Sequence, residues 1–279
     1  VSFFPKNLND ALKYRNDNPQ AVPYGGGTDL MVWPADENAE YIFLDKISEM
    51  REIKADDEYI RFGAACTFTE VATNPLCPKI LKEAILTIAA PAIRNLGTLG
   101  GNIGNGSAKA DSVLIHHAGV LIHHAANAKV RLASVDGERI LRVRDFYQGR
   151  KKLDFKPNEL IVEILYPKNG LDNYYFEKIG ARKALAISRV SFAGVCEIAD
   201  DKIVNFSTAF GAIMDVVLCR EDIDSMFMGK TINEAKELKD EYLKAYDAAI
   251  VPIRGRVSLE YRRNTCLRIL KYYLSLNGI

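Results

Sequence analysis

Two glycine-rich segments constrain this chain more than any other feature: Tyr24-Gly25-Gly26-Gly27-Thr28-Asp29-Leu30, and Arg94-Asn95-Leu96-Gly97-Thr98-Leu99-Gly100-Gly101-Asn102-Ile103-Gly104-Asn105-Gly106. Glycine admits positive φ and lets backbone amides approach a ligand closely. Successive amides in such a turn form a concave anion site that can hold a pyrophosphate without lysine or arginine. Thr28, Thr98 and Asn102 add short side-chain donors, and Asp111, soon after the second segment, can accept from sugar or ribityl hydroxyls. Neither segment is a GxGxxG with an acidic residue about 20 positions on, which disfavours a Rossmann nucleotide fold. Either segment alone reads by default as a structural tight turn. Two of them, each flanked by hydroxyl and amide side chains, put a dinucleotide-type ligand on an equal footing with that reading.

The rest of the chain alternates short strands and helices. An amphipathic helix is expected over 7–18, then strands at 21–24, 41–45 and 59–64. Thr67 and Glu70 form a capping pair at a helix start. A helix over about 78–90 is expected to be closed by Pro91. Strands follow near 128–134, 139–143 and 159–166, with Asp136-Gly137 as a hairpin turn. The Pro167-Lys168-Asn169-Gly170 loop is the best domain boundary. Beyond it come strands near 174–180, 190–198 and 203–211 and helices over about 232–249 and 257–276, an α+β pattern.

Composition removes several function classes. A net charge of +1 on 279 residues leaves no basic footprint for nucleic acid. No run of about 18 apolar residues offers a membrane span. The start, Val1-Ser2-Phe3-Phe4-Pro5-Lys6, lacks the build of a secretory signal, so a cytoplasmic location is expected. Cys66, Cys77, Cys196, Cys219 and Cys266 are scattered, without CxxC or histidine at metal spacing, so no metal site is expected on this chain.

All four histidines lie in a tandem repeat, Val113-Leu114-Ile115-His116-His117-Ala118-Gly119 followed by Val120-Leu121-Ile122-His123-His124-Ala125. His116 and His123 are seven apart and could share a helix face as metal ligands. A duplication that lengthens a helix by about two turns is favoured, because no carboxylate completes a site.

The glycine segments also carry a family resemblance. Tyr24-Gly25-Gly26-Gly27-Thr28-Asp29-Leu30 and Thr98-Leu99-Gly100-Gly101-Asn102 resemble the two FAD-binding loops of the flavoprotein (medium) subunits of the xanthine dehydrogenase and carbon monoxide dehydrogenase family of molybdenum hydroxylases. Phe43-Leu44-Asp45-Lys46-Ile47, Phe62-Gly63-Ala64-Ala65-Cys66-Thr67, Asp145-Phe146-Tyr147-Gln148-Gly149 and Pro157-Asn158-Glu159-Leu160-Ile161 resemble its flavin domain. Glu177-Lys178-Ile179-Gly180-Ala181-Arg182, Arg254-Gly255-Arg256-Val257-Ser258 and Tyr261-Arg262-Arg263 resemble its last domain, so the likeness runs in order along nearly the whole chain.

The resemblance implies an α+β protein: a two-subdomain FAD-binding fold of the vanillyl-alcohol-oxidase (PCMH) type over residues 1–167, divided near 52, and a C-terminal α+β domain over 171–279. It implies that Pro23, Tyr24, Gly25, Gly26, Gly27, Thr28, Asp29 and Leu30 line the pyrophosphate and the flavin edge. Gly97, Thr98, Gly101, Asn102, Gly104 and Asn105 would hold the other side of the pyrophosphate and the ribityl chain, and Asp111 a ribose or ribityl hydroxyl. Ile88, Leu160 and Ile161 would be apolar neighbours of the rings, with plain core packing as the alternative, and Lys178 would sit near the flavin, the alternative being a solvated charge. Asp29 reads equally as a flavin-tuning group and as a turn cap. No acid–base or nucleophilic residue is assigned.

The family pattern further implies a small [2Fe-2S] subunit and a large molybdopterin subunit as partners, in a dimer of heteromers, and an acceptor such as NAD(P)+. One departure is expected: the strand at Lys129-Val130-Arg131-Leu132 comes one repeat copy later than in the family pattern. The rivals are a stand-alone flavin reductase or oxidase, for which the second domain offers no proton-donor constellation, and a scaffold subunit that has lost its flavin.

Overall fold

The computed structural model describes residues 2–32, 38–106, 117–149, 152–182, 187–255 and 257–279, with the backbone alone for 117–120. In chain order the first elements are α1 (Leu8–Asp17), β1 (Val22–Tyr24), β2 (Tyr41–Phe43), β3 (Ile53–Ala55), β4 (Tyr59–Gly63) and α2 (Phe68–Thr73). Helices α3 (Lys79–Leu86), α4 (Pro91–Arg94), α5 (Leu99–Gly104) and α6 (His117–Ala125) follow. Then come β5 (Lys129–Ser134), β6 (Gly137–Arg142), α7 (Val143–Phe146), β7 (Tyr147–Gly149), β8 (Lys152–Leu153) and β9 (Leu160–Pro167). The chain ends with β10 (Tyr174–Gly180), β11 (Ser188–Ala199), β12 (Lys202–Gly211), α8 (Glu221–Asp224), α9 (Ile232–Ala249) and α10 (Leu259–Leu276). Two compact units result, Val1–Cys77 with Ile88–Ser107 and Asn127–Lys168, and Pro78–Thr87 with Ala108–Ala126 and Asn169–Ile279.

In the first unit β1 and β2 pair in parallel, Val22 opposite Tyr41, and Phe3 bridges to Ile42. The larger sheet has the order β3-β4-β9-β5-β6 and is antiparallel throughout. β9 lies at its centre, and its apolar run Leu160-Ile161-Val162 with Ile164-Leu165-Tyr166 is buried, as expected for a strand covered on both faces. Phe62 on β4 meets Tyr166 edge-on, ring centroids 5.9 Å apart. Glu163, also on β9, is neutralised by Arg61 at 3.0 Å and Arg131 at 3.1 Å from the flanking strands, which is how a carboxylate is tolerated there.

Two local expectations are corrected. The helix over 78–90 stops at Leu86, and Pro91 opens α4 at its first position instead of closing the preceding helix. Proline is favoured there because its missing N–H has no helical partner anyway. In the β5–β6 hairpin, Ser134 pairs with Gly137, so Val135 and Asp136 form the turn and Gly137 (φ +130°) begins the next strand. The Thr67–Glu70 capping box is present at α2.

The second unit is built on the antiparallel sheet β10-β11-β12. Its two faces differ in side-chain size. Phe192, Phe206, Phe210 and Cys196 join Phe227, Tyr242, Tyr246 and Tyr273 in the core with α9 and α10. A Cβ at Gly194 would lie 2.6 Å from the Tyr273 ring, which is how closely α10 approaches. The opposite face presents Ser191, Ala193 and Val195 across from Gly211, Ala209 and Ser207, small residues that let α6 lie close, with Leu121 beside Gly211. His123 and His124 on α6 are buried, and burial holds His123 near 3, hence neutral. His116 lies outside the described residues, and among those described no group of three His, Cys, Asp or Glu could hold a metal.

Candidate functional site

The two glycine segments, about 70 residues apart in sequence, meet in the first unit. β1 ends at Tyr24 and delivers the chain into Gly25–Leu30. A Cβ on Gly25 would stand 2.6 Å from Thr98 Oγ1, and one on Gly26 would collide with the Leu96 carbonyl. Two backbones can come this close only where side chains are missing. Gly27 adopts φ +68° beneath the Tyr24 hydroxyl, a left-handed conformation that side chains resist.

The segments differ in what their backbones have left to offer. In the second, the amide of Gly97 donates to Ile93 O at 2.7 Å, Leu99 to Cys66 O at 3.0 Å and Gly100 to Ala64 O at 2.9 Å. Thr98 caps α5 by accepting from the Gly101 amide at 3.1 Å. This segment is thus anchored to the β4–α2 connection. In the first, the amides of Gly25, Gly26, Gly27 and Thr28 have no acceptor among the described residues, while the carbonyls of Tyr24, Gly27 and Asp29 accept from Leu44 N, Met31 N and Val32 N. Four successive amides without acceptors, one of them on a buried glycine, are an anion-binding arrangement. Beside them, Gly101 and Gly104 leave one face of α5 exposed and without side chains, a surface along which an extended ligand chain can lie against backbone. These residues fit a pyrophosphate-bearing ligand.

Pro23 is exposed, Tyr24, Thr28, Asp29 and Leu30 are half-buried, and Tyr24 packs on Phe43 at 4.6 Å and Tyr41 at 5.8 Å. Thr98 and Asn102 are buried and Asn105 half-buried. Ile88, Leu160 and Ile161 are buried in the same unit, with Ile161 Cδ1 3.5 Å from where a Gly104 Cβ would be. Asp111 lies outside the described residues. Lys178 belongs to the second unit, where Nζ donates to the Thr87 carbonyl at 2.8 Å and burial lowers its ammonium to about 8.

Two residues that pattern reasoning passed over support this region. The Tyr147 hydroxyl donates to Ile103 O at 2.7 Å, holding the end of α5; burial raises this phenol well above its usual range. Arg94 Nη1 donates to the carbonyls of Ile88 and Ala89, both at 2.7 Å. Neither shows a sequence signal, since each acts through backbone carbonyls.

The chain is similar to known proteins along most of its length. Residues 2–169 match the family described as the FAD binding domain in molybdopterin dehydrogenase, and residues 175–276 match the CO dehydrogenase flavoprotein C-terminal domain. The putative xanthine dehydrogenase FAD-binding subunit of Escherichia coli strain K12 is 32% identical over 73% of this chain and 70% of its own. The nicotinate dehydrogenase FAD-subunit of Eubacterium barkeri is 28% identical over 96% of this chain and 93% of its own. For the fold, a CO dehydrogenase structure from Hydrogenophaga pseudoflava superposes with a TM-score of 0.85 at 22% identity, covering 98% of this chain and 95% of that one. This chain therefore belongs to the family of FAD-binding subunits of molybdopterin dehydrogenases, the flavoprotein subunits of xanthine dehydrogenase- and CO dehydrogenase-like oxidoreductases.

Proposed function

We propose that this subunit relays electrons, taking them from iron–sulfur clusters of a small [2Fe-2S] partner and delivering them to NAD(P)+ or another acceptor. The substrate itself would be oxidised at the molybdopterin of a large partner. FAD supplies chemistry that side chains lack, accepting electrons singly and releasing them in pairs. The observation that carries the reading is the run of four amides at Gly25–Thr28, without acceptors among the described residues, with Gly25 against Thr98 and Gly26 against the Leu96 carbonyl.

The residues of this chain have three tasks in that reading. Gly25, Gly26, Gly27 and Thr28 hold the pyrophosphate by backbone donation, with Pro23, Tyr24, Asp29 and Leu30 shaping the loop. Gly97, Thr98, Gly101, Asn102, Gly104 and Asn105 hold the ribityl side, and Asp111 takes a sugar hydroxyl. Ile88, Leu160 and Ile161 exclude water from the rings, and Lys178 is a cation near the flavin. Residues 1–167 form the flavin domain and 171–279 a separate domain. The scattered cysteines provide no cluster ligand set, which is why the electrons are assigned to another chain.

The test is purification of the native assembly with identification of its chains and released cofactors. FAD together with an iron–sulfur subunit and a molybdopterin subunit is the expected result. A colourless assembly would overturn the relay in favour of a scaffold role, and flavin on this chain alone would favour a stand-alone reductase.

A further inference from the structure

The segment between α3 and the second glycine loop contains a conformation that needs an external hold. Ala89 has φ +43°, a left-handed geometry that a residue with a Cβ resists. Pro91 follows two residues on and has no N–H to offer a preceding carbonyl. The Ala90 carbonyl accepts from the Ile93 and Arg94 amides, both at 3.0 Å, and the Ile93 carbonyl from Leu96 and Gly97. The carbonyls of Ile88 and Ala89 instead take the Arg94 guanidinium, through one nitrogen at 2.7 Å to each. Arg94 has no carboxylate partner among the described residues, so its charge is committed to these two backbone dipoles.

The geometry points to Arg94 as a positioning residue for FAD, holding the chain at Ile88 and the left-handed Ala89 and thereby fixing where Leu96–Thr98 meets Gly25–Gly26. The mechanical path is short. Arg94 ends α4; the next residues lead to the Leu96 carbonyl on which Gly26 rests, and to Thr98, against which Gly25 packs. Ile88 itself is fully buried. If this stretch relaxes, both the Ile88 side chain and the start of the second loop move relative to the Gly25–Thr28 amides. The inference rests on the FAD reading above and extends it to a residue that need not touch the cofactor.

The test is an equilibrium FAD titration of the full chain, followed by flavin fluorescence, alongside apo melting midpoints. R94M keeps the aliphatic packing but removes the charge-assisted donors, and is expected to raise the FAD dissociation constant at least about tenfold. A89G removes the strain, since glycine adopts positive φ freely, and in the R94M background is expected to restore affinity to within about threefold of wild type. A purely structural arginine would lower the apo midpoint without that rescue. R94M with unchanged affinity, or a loss that A89G does not repair, overturns the inference. If R94M lowers the apo midpoint, the same rescue is read in R94K, where repair by A89G supports the inference and its failure overturns it. Wild-type protein that takes up no FAD instead overturns the underlying cofactor reading, which separates the two failures.

Discussion

Gly26 and Asp224 show how single residues carry the site and the fold in different ways. At Gly26 any side chain would drive the first glycine loop off the Leu96 carbonyl. Gly26→Ala is therefore expected to weaken FAD binding at least about tenfold, ~1.4 kcal/mol, in a titration with released FAD; unchanged affinity would show that the two loops do not share a ligand. Asp224 is 3% exposed in the second unit and accepts from Thr208 N (2.7 Å), Thr208 Oγ1 (2.9 Å), Tyr242 (2.7 Å) and Tyr246 (2.9 Å). Burial outweighs these donors and raises its carboxyl to about 6, against about 3.9 in the unfolded chain. A carboxyl raised in this way stabilises the fold fully below the unfolded value, and that contribution is lost as pH rises through about 6. The stability of wild type relative to Asp224→Asn should thus fall by up to ~3 kcal/mol between about pH 4 and pH 7. Urea unfolding at each pH reads this difference, and a flat profile would contradict it.

Among the elements, those with local signals were legible in the sequence. The capping box at Thr67–Glu70 marks its helix start, and the apolar run near 159–166 marks a strand, β9; the box at Thr231–Glu234 on α9 emerges from the structure. Pro91 misled because proline both stops and starts helices, and only tertiary context separates the two. The Ala89 conformation was illegible because alanine gives no hint of left-handed backbone. Asp224 joins Thr208, Tyr242 and Tyr246 only through three elements distant in sequence. At the site, the loops were readable from their glycines, whereas the division between engaged and open amides depends on the Cys66 and Ala64 carbonyls brought alongside. Helix caps offer a matched test. Thr98→Ala on α5 and Thr231→Ala on α9 should each cost about 1 kcal/mol of stability, measured by chemical denaturation. Only Thr98→Ala should also weaken FAD binding; equal effects on FAD would remove the special standing of α5.

On the scale of the whole molecule, two α+β units serve one chain. The first brings the run of four donor amides up to the Leu96–Thr98 stretch ahead of α5, and the second has its own aromatic core around Phe192, Phe210 and Tyr273. No helix among the described residues is long and apolar enough to cross a membrane. The tandem His-His repeat ends in α6, where Leu121, Ile122, His123, His124 and Ala125 of its second copy are buried, with Leu121 beside Gly211 on the small-residue face of β11 and β12, consistent with packing as the use of that copy. The central claim is that the paired glycine loops bind FAD, and one measurement tests it most directly: titration of the full chain with FAD and, in parallel, with FMN. Saturable binding of one FAD per chain, with FMN much weaker because it lacks the pyrophosphate–adenosine half, is the predicted result. No saturable binding, or equal affinity for FMN, would contradict the assignment of Gly25–Thr28 to a pyrophosphate.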